Sequence, residues 1–141
     1  MMFYRKKDGA KKSKYNNKKI VNEFGTWDSK KEFQRWLVLK EAEAQGVITD
    51  LQRQVKFELI PAVREKYIKH LKTKDKECER TLQLPITYTC DFAYYKDGEY
   101  IVSDVKASPK MLPKDFIIKE KMMFAIKGIK IRRVFSANEV V

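Results

Sequence analysis

Four side chains in this sequence have the types and spacing for metal-assisted hydrolysis: Glu32, Asp91, Asp104 and Lys106. Asp91 and Asp104 each sit among apolar neighbours (Cys90 and Phe92; Val102 and Val105), and Lys106 follows Asp104 by two residues. Carboxylates placed side by side repel, and a hard divalent cation between them removes the repulsion. Oxygen-only ligands of this kind suit Mg²⁺, with Mn²⁺ as a substitute, and do not suit zinc. A zinc site is also disfavoured by the single histidine, His70, and by two cysteines, Cys78 and Cys90, without metal-ligand spacing. Both cysteines read as ordinary thiols of a reducing cytoplasm.

A hairpin is what must bring the two aspartates together. Ile86 to Tyr95 and Tyr100 to Ala107 read as strands joined by Lys96-Asp97-Gly98-Glu99, and Asp-Gly between such runs is a strong signal for a tight turn. With Asp97-Gly98 as the turn, Lys96 faces Glu99, Tyr95 faces Tyr100 and Asp91 faces Asp104, with Cβ atoms about 4.5–5.5 Å apart. Lys106 shares that face by the period of a strand. Two other arrangements stay open: a carboxyl pair sharing one proton, and a register slip that separates the acids. Glu32 has two readings as well. Ser29-Lys30-Lys31-Glu32 matches a capping box, in which Glu32 reaches back to the Ser29 amide. Glu32 also lies one turn before Trp36, on the helix face expected to meet the sheet.

The remaining elements follow from periodicity. Ser29 to about Gln45 is expected to be a helix, stopped by Gly46, with Phe33, Trp36, Leu37, Lys40 and Ala44 near one stripe. Arg53 to Ile60 alternates as a half-buried strand ending at Pro61. The charged stretch Arg64 to Arg80 reads as a surface insertion with at most one short helix. Asp115 to Lys127 is a second helix stopped by Gly128, and Ile129 to Phe135 a last strand. A strand, a helix and a strand in that order form a crossover, which implies parallel pairing. The expected fold class is α/β: a small mixed sheet, an antiparallel hairpin plus a parallel crossover strand, flanked by helices.

The chain has 141 residues, enough for one domain with a real core, and carries a net charge of +12. Residues 1–19 hold eight Lys/Arg against one acid, Asp8, leaving +5 for the rest. That segment reads as a flexible basic arm ahead of a single domain spanning 20–141, with Lys11, Lys12, Lys14, Lys18 and Lys19 available to phosphates. No segment approaches a membrane span and no apolar signal core opens the chain, so a cytoplasmic protein is expected.

Taken as an ordered set, Glu32 on a first helix, Asp91 on a strand and Asp104-Val105-Lys106 on the next strand resemble the PD-(D/E)xK nuclease pattern. Phe24 to Glu32, Leu51 to Leu59, Ile86 to Tyr95 and Ile101 to Lys106 resemble small phage- and prophage-encoded endonucleases of that superfamily, some of them Holliday-junction-resolvase-like. The resemblance covers roughly Ile20 to Phe135, with Arg64 to Arg80 as its weakest part, and Cys90 stands where the family's proline would precede Asp91. It implies a restriction-endonuclease-like core. It also implies Asp91 and Asp104 as metal ligands, Glu32 as a further carboxylate reaching the metal directly or through water, and Lys106 positioning or activating the attacking water. Gln54 and Lys119 are placed like secondary polar residues of the site. They equally fit an exposed strand residue and a solvated helix lysine.

The function expected from this resemblance is a Mg²⁺-dependent DNA endonuclease of phage DNA processing in a bacterial host cell. No element resembles a recognition helix, so branched or junction DNA is a better expected substrate than a long base sequence. A homodimer would suit cutting two strands of a junction. Two other expectations stand beside it: a strand-cutting subunit of a transposition or packaging machine, and a non-catalytic basic nucleic-acid-binding protein whose acids are structural.

Overall fold

The computed structural model describes residues 19–141. Lys11, Lys12, Lys14 and Lys18 of the expected basic arm lie outside the described residues. The first pieces are two three-residue strands, β1 (Ile20–Asn22) and β2 (Gly25–Trp27), paired with each other. Periodicity over such short strands carries no signal, and the sequence reading passed over both.

Helix α1 (Lys30–Ala44) follows, with Ser29 as its N-cap: the Ser29 hydroxyl accepts from the Glu32 amide at 3.1 Å. Such a cap contributes about 1 kcal/mol. The expected stripe is corrected. The buried positions are Glu32, Arg35, Leu39 and Ala42, whereas Leu37, Lys40 and Ala44 are exposed. Two of the four buried residues are charged, so a search for an apolar stripe rotates the helix wrongly. Arg35 is fully buried and donates to the carbonyl of Ala137 at 3.1 Å, which ties the C-terminal segment to the helix.

The main sheet has the order β3-β6-β7-β8. Strand β3 (Thr49–Ile60) pairs antiparallel with β6 (Ile86–Lys96), which pairs antiparallel with β7 (Glu99–Val105). Asp97 and Gly98 both have positive φ, 51° and 78°, as a tight primed turn requires, and the register has Lys96 opposite Glu99 and Tyr95 opposite Tyr100, as expected. Helix α2 (Lys114–Met122) widens into a π-helical turn at Met123–Lys127 and ends at left-handed Gly128. The chain returns as β8 (Arg132–Val134), parallel to β7. That strand is shorter than the expected Ile129 to Phe135, because Ile129 and Ile131 pack into the core before the ladder begins. The chain is therefore mixed α/β, with antiparallel and parallel pairing in one small sheet.

Two apolar layers cover the sheet. Leu59, Tyr88, Cys90, Ala93, Val102, Phe116, Met123 and Ile131 form the layer under α2. Trp27, Leu39, Ala42, Ile48, Phe92 and Tyr94 form the layer under α1. Tyr88 and Cys90 share a face by period two, yet Phe92 and Tyr94 belong to the other face. In β3, Leu51 packs with the α1 layer while Val55 and Phe57 pack with the α2 layer. The alternation of both strands thus slips at one place, between Leu51 and Val55 and between Cys90 and Phe92. Gln54 lies there with φ of 52°, in left-handed backbone.

Arg64 to Arg80 is not a helix. Strands β4 (Val63–His70) and β5 (Asp75–Gln83) form a separate two-stranded ribbon inserted between β3 and β6. Tyr67, Ile68 and Leu71 mimic helical spacing, but the decisive interactions are non-local: Glu65 faces Arg80 and binds it at 2.7 Å, and Tyr67 faces Cys78.

Candidate active site

The register of the β6–β7 hairpin ends with Phe92 opposite Ser103, and Asp91 and Asp104 follow just beyond it. There the backbone ladder gives way to side chains. The Asp91 amide donates to Asp104 Oδ1 at 3.0 Å, and the Val105 amide donates to Asp91 Oδ2 at 2.8 Å. Each carboxylate thus satisfies an amide of the opposite strand, while β7 pairs onward with β8 through Asp104 opposite Arg133.

Asp104 is almost wholly buried. Its Oδ2 accepts from the Tyr88 hydroxyl at 2.8 Å and lies 3.3 Å from Lys106 Nζ. Lys106 is held in turn 4.1 Å above the Phe116 ring, so its ammonium is fixed between an anion and an aromatic face. Val102, Asp104 and Lys106 follow one another at period two, on the α2 side of the sheet.

Asp91 sits at the slip in alternation, within hydrogen-bonding reach of the Asp104 carboxyl. Burial pushes its pKa up to about 9, with the Asp104 charge and then Glu32 adding to the rise. Burial and the nearby Asp104 charge also drive the Tyr88 hydroxyl far above the ordinary phenol range, so it acts as a donor. Cys90, beside Asp91, is pushed up to about 12 by burial. It is a free, buried and inert thiol; Cys78 is free as well.

Glu32 approaches from the α1 side. Its carboxylate accepts from Gln54 Nε2 at 3.2 Å and lies 4.0 Å from Arg53 Nη2. Burial raises its pKa, the Asp28 charge adds to the rise, and Arg53 opposes it. Neighbouring strand residues normally point to opposite faces, and the left-handed backbone at Gln54 is what lets Arg53 and Gln54 both reach one carboxylate. Glu32 caps its helix through its own amide, and its side chain turns toward the sheet.

Asp91, Asp104 and Lys106 are therefore gathered at one point, with Glu32 and Gln54 beside them. Lys119 lines a groove with Pro85, Ile86 and Thr87. Lys19 is exposed at the start of the described chain. Among the described residues, no group of three His, Cys, Asp or Glu side chains is arranged to hold a metal ion. The pair Asp91–Asp104 and the approach of Glu32 from the other layer account for that. Sequence reasoning missed Tyr88 and Arg53. Tyr88 gives no signal beyond a strand tyrosine three residues before Asp91. Arg53 was in view only as the first residue of the expected strand, and it stacks on Trp27 at 3.4 Å.

No helix among the described residues is long and apolar enough to cross a membrane. The family described as a protein of unknown function, DUF1064, matches the chain over residues 12–139. No curated protein and no solved structure matches it.

Proposed function

Starting from the chain's membership of the DUF1064 family, we propose that it is a metal-dependent DNA endonuclease of the PD-(D/E)xK type, built on a restriction-endonuclease-like core. The observation that carries this reading is the pairing of half-buried Asp91 with buried Asp104, with Lys106 at 3.3 Å from Asp104. A purely structural role explains such a pair poorly, because facing like charges destabilise a hairpin and burial amplifies the cost.

The donor set fits a hard divalent cation. Both groups offer oxygen alone, and a cation satisfies the pair as the shared proton does. Asp91 and Asp104 would hold Mg²⁺ or Mn²⁺, with Glu32 joining directly or through water. When bound, the ion polarises the scissile phosphate and lowers the pKa of the attacking water.

The chain's own residues do the rest. Lys106 orients that water and offsets negative charge developing on the phosphate. Tyr88 holds Asp104 in one rotamer by its 2.8 Å hydrogen bond. Gln54 and Arg53 hold Glu32 facing the pair. Substrate selectivity for branched or junction DNA, phage DNA processing in a bacterial cytoplasm and a homodimer acting on two strands belong to the same proposal; a strand-cutting subunit of a transposition or packaging machine is its alternative.

The test is cleavage of end-labelled linear, flapped and four-way DNA in Mg²⁺, Mn²⁺ or EDTA. The expected result is metal-dependent cutting that falls by about 10³-fold or more in Asp104→Ala and in Lys106→Ala. One observation favours a second reading, a basic DNA-binding protein without catalysis. Lys106 already pairs with Asp104, and among the described residues no third His, Cys, Asp or Glu completes a metal-holding group. That reading predicts binding indifferent to Mg²⁺ and to Asp104→Asn, and no cutting of any of the three substrates.

A further inference from the structure

The β4–β5 ribbon stands outside both apolar layers. From Val63 to Gln83 every residue is exposed except half-buried Cys78, and the two strands pair only with each other. A lone two-stranded ribbon is marginal in water, so the device that holds it matters. Its acids are all spent along the ribbon. Glu65 pairs with Arg80, Glu79 with Arg64, Glu77 with Lys66, and Asp75 with His70. Arg80 also lies over the Tyr67 ring at 5.0 Å.

The distal end is different. Lys69, Lys72, Lys74 and Lys76 have no acid partner among the described residues, and Lys69 stands directly opposite Lys76. Like charges facing each other weaken a ribbon. Here no carboxylate relieves them, although the same ribbon supplies one to each basic residue nearer its root. The charge is segregated, with a self-neutralised stem and a tip where four lysines outnumber one carboxylate, Asp75, which pairs with His70.

We infer that this tip is a duplex-DNA binding element that grips phosphates at a distance from the cut. The inference rests on the nuclease reading for its choice of DNA as the polyanion. A two-stranded ribbon also matches the width of the B-DNA major groove, about 12 Å, with phosphates along both rims. The root of the ribbon, at Ile60 opposite Ile86, is five residues along β6 from Asp91, and each arm strand adds about eight more. At about 3.3 Å per residue, the tip reaches up to roughly 40 Å from the carboxylates. That is the length of about 12 base pairs at 3.4 Å each. The protein therefore needs duplex well beyond the scissile bond to use its full affinity.

The experiment compares the full-length protein with a variant carrying Lys69→Gln, Lys72→Gln, Lys74→Gln and Lys76→Gln, binding fluorescent 10-bp and 30-bp duplexes in EDTA across a salt series. Circular dichroism and Tm verify the fold. On 30 bp, the variant is expected to bind at least about tenfold more weakly at low salt, with a log–log salt slope shallower by about 3. The difference is expected to shrink on 10 bp. If the quadruple variant fails to fold, Lys72→Gln with Lys74→Gln decides, because both residues lie in the turn between the strands; its expected slope change is about 2. An unchanged slope on 30 bp overturns the inference. So does a loss of binding confined to anionic phosphatidylserine vesicles run in parallel. Cleavage of the same 30-bp DNA in Mg²⁺ keeps the two readings apart. Cutting with an unchanged slope removes the ribbon and leaves the nuclease, whereas a shallower slope without cutting removes the nuclease and leaves a DNA-binding ribbon.

Discussion

Two antiparallel hairpins in this chain each set like charges face to face, and they resolve the conflict in opposite ways. In β6–β7 the like charges are Asp91, half-buried, and Asp104, buried, each accepting from an amide of the other strand. In β4–β5 they are Lys69 and Lys76, in open solvent. Burial turns the first conflict into a protonation problem, raising the Asp91 pKa, with the Asp104 charge adding to the rise. Exposure leaves the second as surface charge, screened by salt and available to a polyanion. The same local geometry therefore yields a largely buried acidic pair, the proposed cation site, and an exposed basic tip, the inferred polyanion site. Burial, more than residue type, decides which groups can do chemistry.

The largest effect expected from this contrast is at Asp91. Asp91→Asn removes a proposed metal ligand and the group's ability to ionise, so cleavage should fall by about 10³-fold or more. At neutral pH stability should rise by at least about 1 kcal/mol, roughly 3–5 °C in Tm, because folding no longer has to protonate this carboxyl. Scanning calorimetry beside the cleavage assay reads both, and a Tm below the wild type's would mean that the pair is stabilising as it stands.

The same group sets a pH dependence whose sign follows from its raised pKa. Between the ordinary value near 3.8 and about 9, the unfolded chain has released the Asp91 proton while the folded chain keeps it. This group's contribution to stability is therefore greatest at the low end of that window and declines as pH rises through it. Asp91→Asn should flatten that part of the Tm–pH curve. Cleavage should run the other way, increasing toward pH 9 as the proton leaves the pair, and higher Mg²⁺ should move the rise to lower pH. A cleavage profile flat from pH 6 to 9 would separate Asp91 from the reaction.

Much of the hairpin half of this contrast is legible from the residues alone. Asp97-Gly98 sets the turn, the turn sets the register, and the register puts Asp91 beside Asp104, with Lys106 two residues on. The helices, their glycine stops and the parallel return of β8 follow from periodicity and connection rules. What escapes is whatever depends on non-local or polar burial. Arg35 and Glu32 occupy the buried face of α1, where a search for apolar residues cannot place them. The ribbon is held by cross-strand ion pairs that look, along the chain, like a run of solvated charge. The slip in alternation at Gln54 leaves Val55, Phe57 and Leu59 in perfect period and becomes visible only when Leu51 is seen on the other face.

That slip supports a third prediction of intermediate size. Gln54 holds a left-handed conformation that costs a non-glycine residue about 1–3 kcal/mol. Gln54→Gly should relieve part of this and raise Tm, while losing the 3.2 Å bond to Glu32 and lowering cleavage by about tenfold. Gln54→Asn keeps an amide and tolerates the backbone better, so its activity should fall between the two. If both variants cut at the wild-type rate, Glu32 is a capping residue and belongs outside the site.

The smallest effect tests the exposed side of the comparison. Lys69→Glu converts the facing Lys69–Lys76 pair into opposite charges, worth about 0.2–1 kcal/mol to the ribbon. Because the ribbon packs against neither apolar layer, that gain should stay local. Amide exchange across β4–β5 should slow severalfold while the global Tm moves by less than about 2 °C. A shift in Tm as large as that of Asp91→Asn would show that the ribbon and the core unfold as one unit. The contrast between buried and exposed like-charge pairs would then be one of sign alone. A local gain with a still Tm would mean that evolution could adjust the ribbon's charge freely, without cost to the fold that holds the carboxylates.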